Sequence, residues 1–175
     1  LDPSGVITVA EALVMLERAD SLPDVGVLRS DLENLAAAHR PIGSQGEYDA
    51  VQYLKGRFEE MGYTVTLQPY TDSPGRTGHN VVEVREASSP GADILVLSAH
   101  HDSVPTAYGA NDNASGVAAL LYAAEALKDV ASDTELRFIS FTDEENGKNG
   151  SRAYTAGLTA DEKERSIGDS QFYML

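Results

Sequence analysis

Apolar residues recur at helical spacing through the first sixty residues and then give way to strand-like runs. "VAEALVMLERA" (9–19) carries the period of an amphipathic helix, and "DSLPDVG" breaks it with Pro and Gly. "LRSDLENLAAAHR" (28–40) predicts a second helix, ended by "PIGSQG". A third covers 47–61, with Ala50, Val51, Leu54, Phe58 and Met61 on one face and Gly62 closing it. "YTVTLQPY" (63–70) alternates and predicts a strand, "TDSPGRTG" is a turn-rich loop, and "HNVVEVREA" (79–87) predicts a second strand.

Beyond residue 90 the strands change character. "ILVLSA" (94–99) is continuously apolar and bounded by turn signals, the pattern of a strand covered on both faces. A small-residue helix is expected over about 115–128, followed by a second buried-type strand, "ELRFISFT" (135–142). Short helices follow at "RAYTAG" and "TADEKERS", and "DSQFYML" opens one more strand. Helices alternating with buried strands predict an α/β fold with a mixed, largely parallel sheet. There is no internal repeat. Residues 1–25 are expected to form an N-terminal helical extension, and 26–175 one domain.

Charge narrows the functions open to such a fold. With 28 Asp and Glu against 13 Lys and Arg, the chain carries a net charge of −15 over 175 residues. That argues against nucleic acid, which needs a basic footprint, and against an anionic membrane surface. The carboxylates are spread along the chain rather than gathered in a tail. Cysteine is absent, so disulfides, thiolate metal sites and cysteine nucleophiles are excluded. No run approaches the roughly 18 apolar residues of a membrane span. The opening "LDPSGVITVAEALVML" lacks an initiator Met and is a poor signal peptide, consistent with removal of something upstream.

Ligands of open α/β sheets sit beyond the carboxyl ends of the strands, and two strands here deliver chemistry to that edge. In "ILVLSAHHD" alternation puts His100 and Asp102 on one face and His101 on the other. A metal-binding imidazole donates its second N–H to a carboxylate, so His100 and Asp102 suit a ligand and its support. The simpler reading is a polar strand end satisfied by backbone. "FTDEE" brings Asp143, Glu144 and Glu145 to the same edge. Adjacent carboxylates there form either a solvated turn or a metal ligand beside a general base. Asp112, between Asn111 and Asn113, is either a helix cap or a carboxylate held at a helix N-terminus.

Taken in order, "SAHHDSVP…GANDNASGVAALL…ELRFISFTDEENGKNGS" resembles the co-catalytic zinc aminopeptidases, a group that includes bacterial leucyl aminopeptidases and is related to glutamate carboxypeptidase II and the transferrin receptor. "LAAAHRPIGSQGEYDAVQYLKGRFEEMGYTV" and "GHNVVEV" are similar to the opening of the same domain. The resemblance implies a three-layer phosphorylase/hydrolase-like sandwich and two zinc ions. His100 matches a ligand of one metal, with Asp102 behind it. Asp112 matches the bridging carboxylate, followed by a cis peptide to Asn113. Glu145 matches a ligand of the other metal, and Glu144 the general base. The implied reaction removes N-terminal residues from peptide substrates by a water shared between the metals. A secreted or extracytoplasmic location is favoured by the resemblance alone.

The chain also departs from that pattern. The family supplies one further aspartate soon after the Glu–Glu pair and one histidine far downstream. Here "QFYML" sets Tyr173 where the aspartate belongs, and no histidine follows His101. Residues 26–175 therefore correspond to the N-terminal portion of the family's catalytic domain, and the chain alone is expected to be inactive or weakly active. The competing expectation is a non-catalytic relative used for binding or assembly. A sheet ending at "QFYML" leaves edges uncovered, which favours self-association of chains.

Overall fold

The computed structural model describes residues 22–166. The 9–19 helix, the final strand and Tyr173 lie outside the described residues, as does nearly all of the 1–25 extension. Helices α1 (Val25–Leu35) and α2 (Gln45–Glu60) lead into a hairpin of β1 (Val65–Thr71) and β2 (Thr77–Arg85). Strand β3 (Ile94–His100) is followed by a wide helical turn at Ala110–Ala114 and then α3 (Ser115–Leu127). Strand β4 (Glu135–Phe141) and short helices α4 (Asn149–Gly157) and α5 (Ala160–Arg165) complete the described chain.

The strand order is β1-β2-β4-β3. The sheet is mixed, as the sequence predicts, but among the described strands parallel pairing is confined to β3–β4. The reason lies in the connections. A five-residue turn joins β1 to β2 and forces them antiparallel, whereas α3 crosses over between β3 and β4. Ile94, the first residue of β3, also makes an isolated parallel bridge to Ser166, just past α5. Pro69 falls in β1, where the missing N–H is tolerated because β1 lies at the edge among the described strands.

Two apolar layers sandwich the sheet. On one face Val51, Leu54 and Phe58 of α2 and Val117, Leu121 and Ala124 of α3 pack with Val81, Leu136 and Phe138. On the other, Val82, Ile139 and Phe141 meet Tyr154 of α4. Every residue of β4 is buried, as in a strand covered on both sides, and its two charged residues, Glu135 and Arg137, are paired with each other. Helix α5 opens with a complete capping box between Thr159 and Glu162. Helix α1 ends at Leu35 rather than running to residue 40. Arg40, almost wholly buried, folds back and donates to the carbonyl of Leu35, one of the acceptors a helix end leaves open, and to that of Ala38 in the loop beyond.

One polar residue breaks the pattern of the larger core. Glu83 on β2 is fully buried, opposite Val65 and Phe138, and neither carboxylate oxygen has a hydrogen-bond partner among the described residues. Burial, with help from the charge on Glu59, pushes its carboxyl up to about 8. The unfolded chain ionises this group near 4.5 while the folded chain keeps it protonated. Stability therefore falls as pH rises from that value towards 8, by an amount on the order of 3–5 kcal/mol. Glu83→Gln should flatten that slope. Thermal unfolding at pH 5, 7 and 9 checks it; a variant as pH-sensitive as the parent would show that Glu83 is not the source.

Candidate metal centre

The parallel pair β3–β4 aims its two carboxyl ends at one edge, and the candidate residues gather there. His100 pairs in register with Phe141, and the N–H of His101 donates to the Phe141 carbonyl at 2.9 Å, prolonging the ladder past both strand ends. Beyond Phe141 the chain turns sharply. Asp143 is buried with a left-handed φ of 54°, and its carboxylate accepts from Asn146 Nδ2 at 2.6 Å and Asn149 Nδ2 at 2.8 Å. That internal bracing sets Glu144 and Glu145 facing the end of β3.

Asp102 couples the two sides. It is 1% exposed, and its two carboxylate oxygens accept from the backbone N–H groups of Glu144 (3.1 Å) and Glu145 (3.2 Å). Oδ1 also lies 3.4 Å from His100 Nδ1, a polar contact slightly long for a hydrogen bond. Burial alone would raise the Asp102 carboxyl, but the contact with His100, the nearby His101 and the Glu144 N–H hold it below the ordinary range. Burial likewise pulls the His100 imidazole down. The contact with Asp102 and the charges of Asp102, Glu144 and Asp112 outweigh it, and the net direction is up.

The other face of the cleft comes from the turn before α3. Gly109, at φ 57°, opens it; a Cβ there would lie 2.3 Å from the Asp112 carbonyl. The Asp112–Asn113 peptide is cis, as the resemblance implies. Asn113 is buried and its Oδ1 accepts from the Gly116 N–H at 3.0 Å, satisfying an open donor in the first turn of α3. Asp112 itself stays exposed, and its Oδ1 stands 3.1 Å from His100 Nε2, with Glu144 Oε2 at 3.9 Å from the same nitrogen.

His100, Asp112 and Glu145 each present a ligand atom, all within 4.8 Å of one another. This donor set fits a divalent cation. One imidazole nitrogen faces inward, its other nitrogen is turned to a carboxylate, and carboxylates converge on the same space. Burial, followed by the charge of Asp112, pushes the Glu145 carboxyl up, a repulsion that a cation relieves. Beside Glu145 lies a cavity of about 310 Å³ lined by Ile42, Ser103, Val104, Asn146 and Arg76.

Two charged residues absent from the sequence reading brace this arrangement. Arg40 donates to the carbonyls of His101 (2.6 Å), Tyr108 (2.8 Å) and Gly109 (3.1 Å), so a buried guanidinium stitches both ends of the 101–109 loop together. Glu47 of α2 is 2% exposed and sits on the far side of His101, which indeed faces away from His100's cleft. Burial raises its carboxyl, but His101, Thr142 and the Gly43 N–H together hold it below the ordinary range.

Residues 80–168 match the model of peptidase family M28. The chain belongs to peptidase family M28. Leupeptin-inactivating enzyme 1 of Streptomyces exfoliatus is 36% identical over 162 residues, covering 88% of this chain and 36% of that enzyme. The chain thus spans about a third of the length of that relative. Among solved structures, an aminopeptidase from Aneurinibacillus sp. strain AM-1 superposes with a TM-score of 0.79 at 22% identity, over 90% of this chain and 71% of its own. A zinc aminopeptidase from Bacillus subtilis gives 0.77 at 18% identity, over 83% and 68%. At these identities the likeness to solved structures shows the fold alone. Within the M28 match fall β3, β4, the cis peptide and every candidate ligand.

If Asp102 braces the centre, Asp102→Asn should weaken zinc binding roughly 10–100-fold while leaving the protein folded. Competition with a chromophoric chelator measures this. Unchanged affinity would remove Asp102 from the centre.

Proposed function

We propose that this chain carries the metal-binding and general-base groups of a zinc exopeptidase of the aminopeptidase type. The observation that carries the reading is the convergence of His100, Asp112 and Glu145, with Glu144 beside them, at the ends of adjacent parallel strands. Two zinc ions would be held here, with Asp112, the most exposed of these carboxylates, common to both, His100 serving one and Glu145 the other. A catalytic zinc ordinarily takes three protein ligands, so one further donor to each metal is supplied from outside residues 22–166. Bound zinc supplies the Lewis acidity that acidifies a water and polarises the scissile carbonyl.

The chain's own residues do the rest. Glu144 is only partly exposed and lies 3.9 Å from the His100 ligand nitrogen, close enough to take a proton from the attacking water and hand it to the leaving amine. Asp102 keeps the Nδ1 proton on His100 and leaves Nε2 as the donor to metal. The acidic edge attracts the cationic N-terminus of a peptide, and the cavity beside Glu145 offers room for part of it.

In the full-length protein, Glu144→Gln should keep its zinc yet lose about 10²–10⁴-fold in turnover of an aminoacyl anilide. Glu145→Ala should lose bound zinc as well. Metal analysis beside the rate assay separates the two effects. A folded parent protein that holds no zinc, or a Glu144→Gln variant of undiminished rate, would sink the reading.

A further inference from the structure

We propose that Glu47 is a positioning residue of the metal centre, acting through the strand ends that carry it and touching neither metal nor substrate. This rests on the metal-site reading above and extends it to a residue on a helix that contributes no ligand. Glu47 stands where four segments meet. Its Oε1 accepts from Thr142 Oγ1 at 2.7 Å and from the His79 N–H at 3.3 Å, and its Oε2 from the Gly43 N–H at 3.1 Å. Oε1 also lies 3.6 Å from His101 Nε2, while His101 Nδ1 reaches Ser140 Oγ at 3.0 Å.

The two side chains it holds have telling neighbours. His101 follows His100, and Thr142 precedes the Asp143–Glu144–Glu145 turn. One buried carboxylate therefore fixes the spacing between the end of β3 and the end of β4 from behind, as Asp102 does from the front. Space has been cleared for it: a Cβ on Gly78 would fall 2.3 Å from Thr142 Oγ1 and 2.4 Å from Glu47 Oε1. Helix capping does not account for the residue. Ser44 caps α2 and accepts the Glu47 N–H, but the Glu47 carboxylate does not return to the Ser44 N–H, which goes instead to the Pro41 carbonyl at 3.0 Å. A buried carboxylate is tolerated only when hydrogen-bonded, and two of this one's neighbours, Thr142 and His101, adjoin the residues of the centre.

The test uses the full-length protein, with zinc affinity from chelator competition and the thermal stability of the zinc-free form measured together. Glu47→Ala should weaken zinc roughly 10–100-fold. Glu47→Gln, which keeps an acceptor for Thr142, should recover most of that loss. Val51→Ala, on the same helix but in the apolar core, should lower stability and leave zinc affinity nearly unchanged. If Glu47→Ala does not fold, Thr142→Val is read in its place. Wild-type zinc affinity in the altered protein would overturn the proposal, as would an equal loss in Val51→Ala. A parent protein without zinc would instead overturn the metal-site reading itself.

Discussion

The contacts of Asp102 with two backbone N–H groups and one imidazole set the geometry on which the rest of the centre depends. The residues it joins, at the end of β3 and in the turn after β4, are separated by more than forty positions. Neither strand end could hold its angle alone. Beyond His100 the backbone leaves the ladder within a few residues, and the 143–145 turn begins with a left-handed aspartate. A carboxylate with two strong acceptor oxygens can take two N–H groups side by side and still face a ring nitrogen. An amide or hydroxyl cannot do all three.

Three buried carboxylates show how context decides what burial does. Asp102 and Glu47 each collect donors, and the hydrogen bonds outweigh the loss of water. Glu83 collects none and stays protonated. Asp102 follows the end of β3, and Glu47 reaches the strand ends from α2, so both meet donors that the ladder leaves free. The third lies mid-strand, where those groups are already spent on neighbouring strands. Arg40 is the cationic counterpart: its donors go to loop carbonyls that no ladder satisfies.

Much of this was legible in the residues, and the parts that were not share a cause. Apolar runs placed β3 and β4 within a residue or two, and alternation put His100 and Asp102 together against His101. Those signals are local. The second helix was expected to reach residue 40 because nothing local says that Arg40 turns back on Leu35. Glu47 sits in "SQGE", a spacing that suggests a helix cap, and only the fold shows its carboxylate aimed at Thr142. The bracing of Glu144 and Glu145 by Asp102 is a contact across strands to backbone, which side-chain patterns do not encode. The largely parallel sheet was inferred from alternating elements, and the hairpin turn between β1 and β2 limits it.

The place of β4 has a consequence for how the chain comes into being. It is the last described strand in sequence yet lies between β2 and β3 in space. While the chain emerges from the ribosome, β2 has only its hairpin partner, and β3 has no neighbour among the described strands until β4 follows. An isolated hairpin is marginal in water, and open edges invite pairing with other chains. Pairings so distant in sequence also close slowly. The ligands on either side of the β3–β4 seam therefore meet only once β4 has paired with β3.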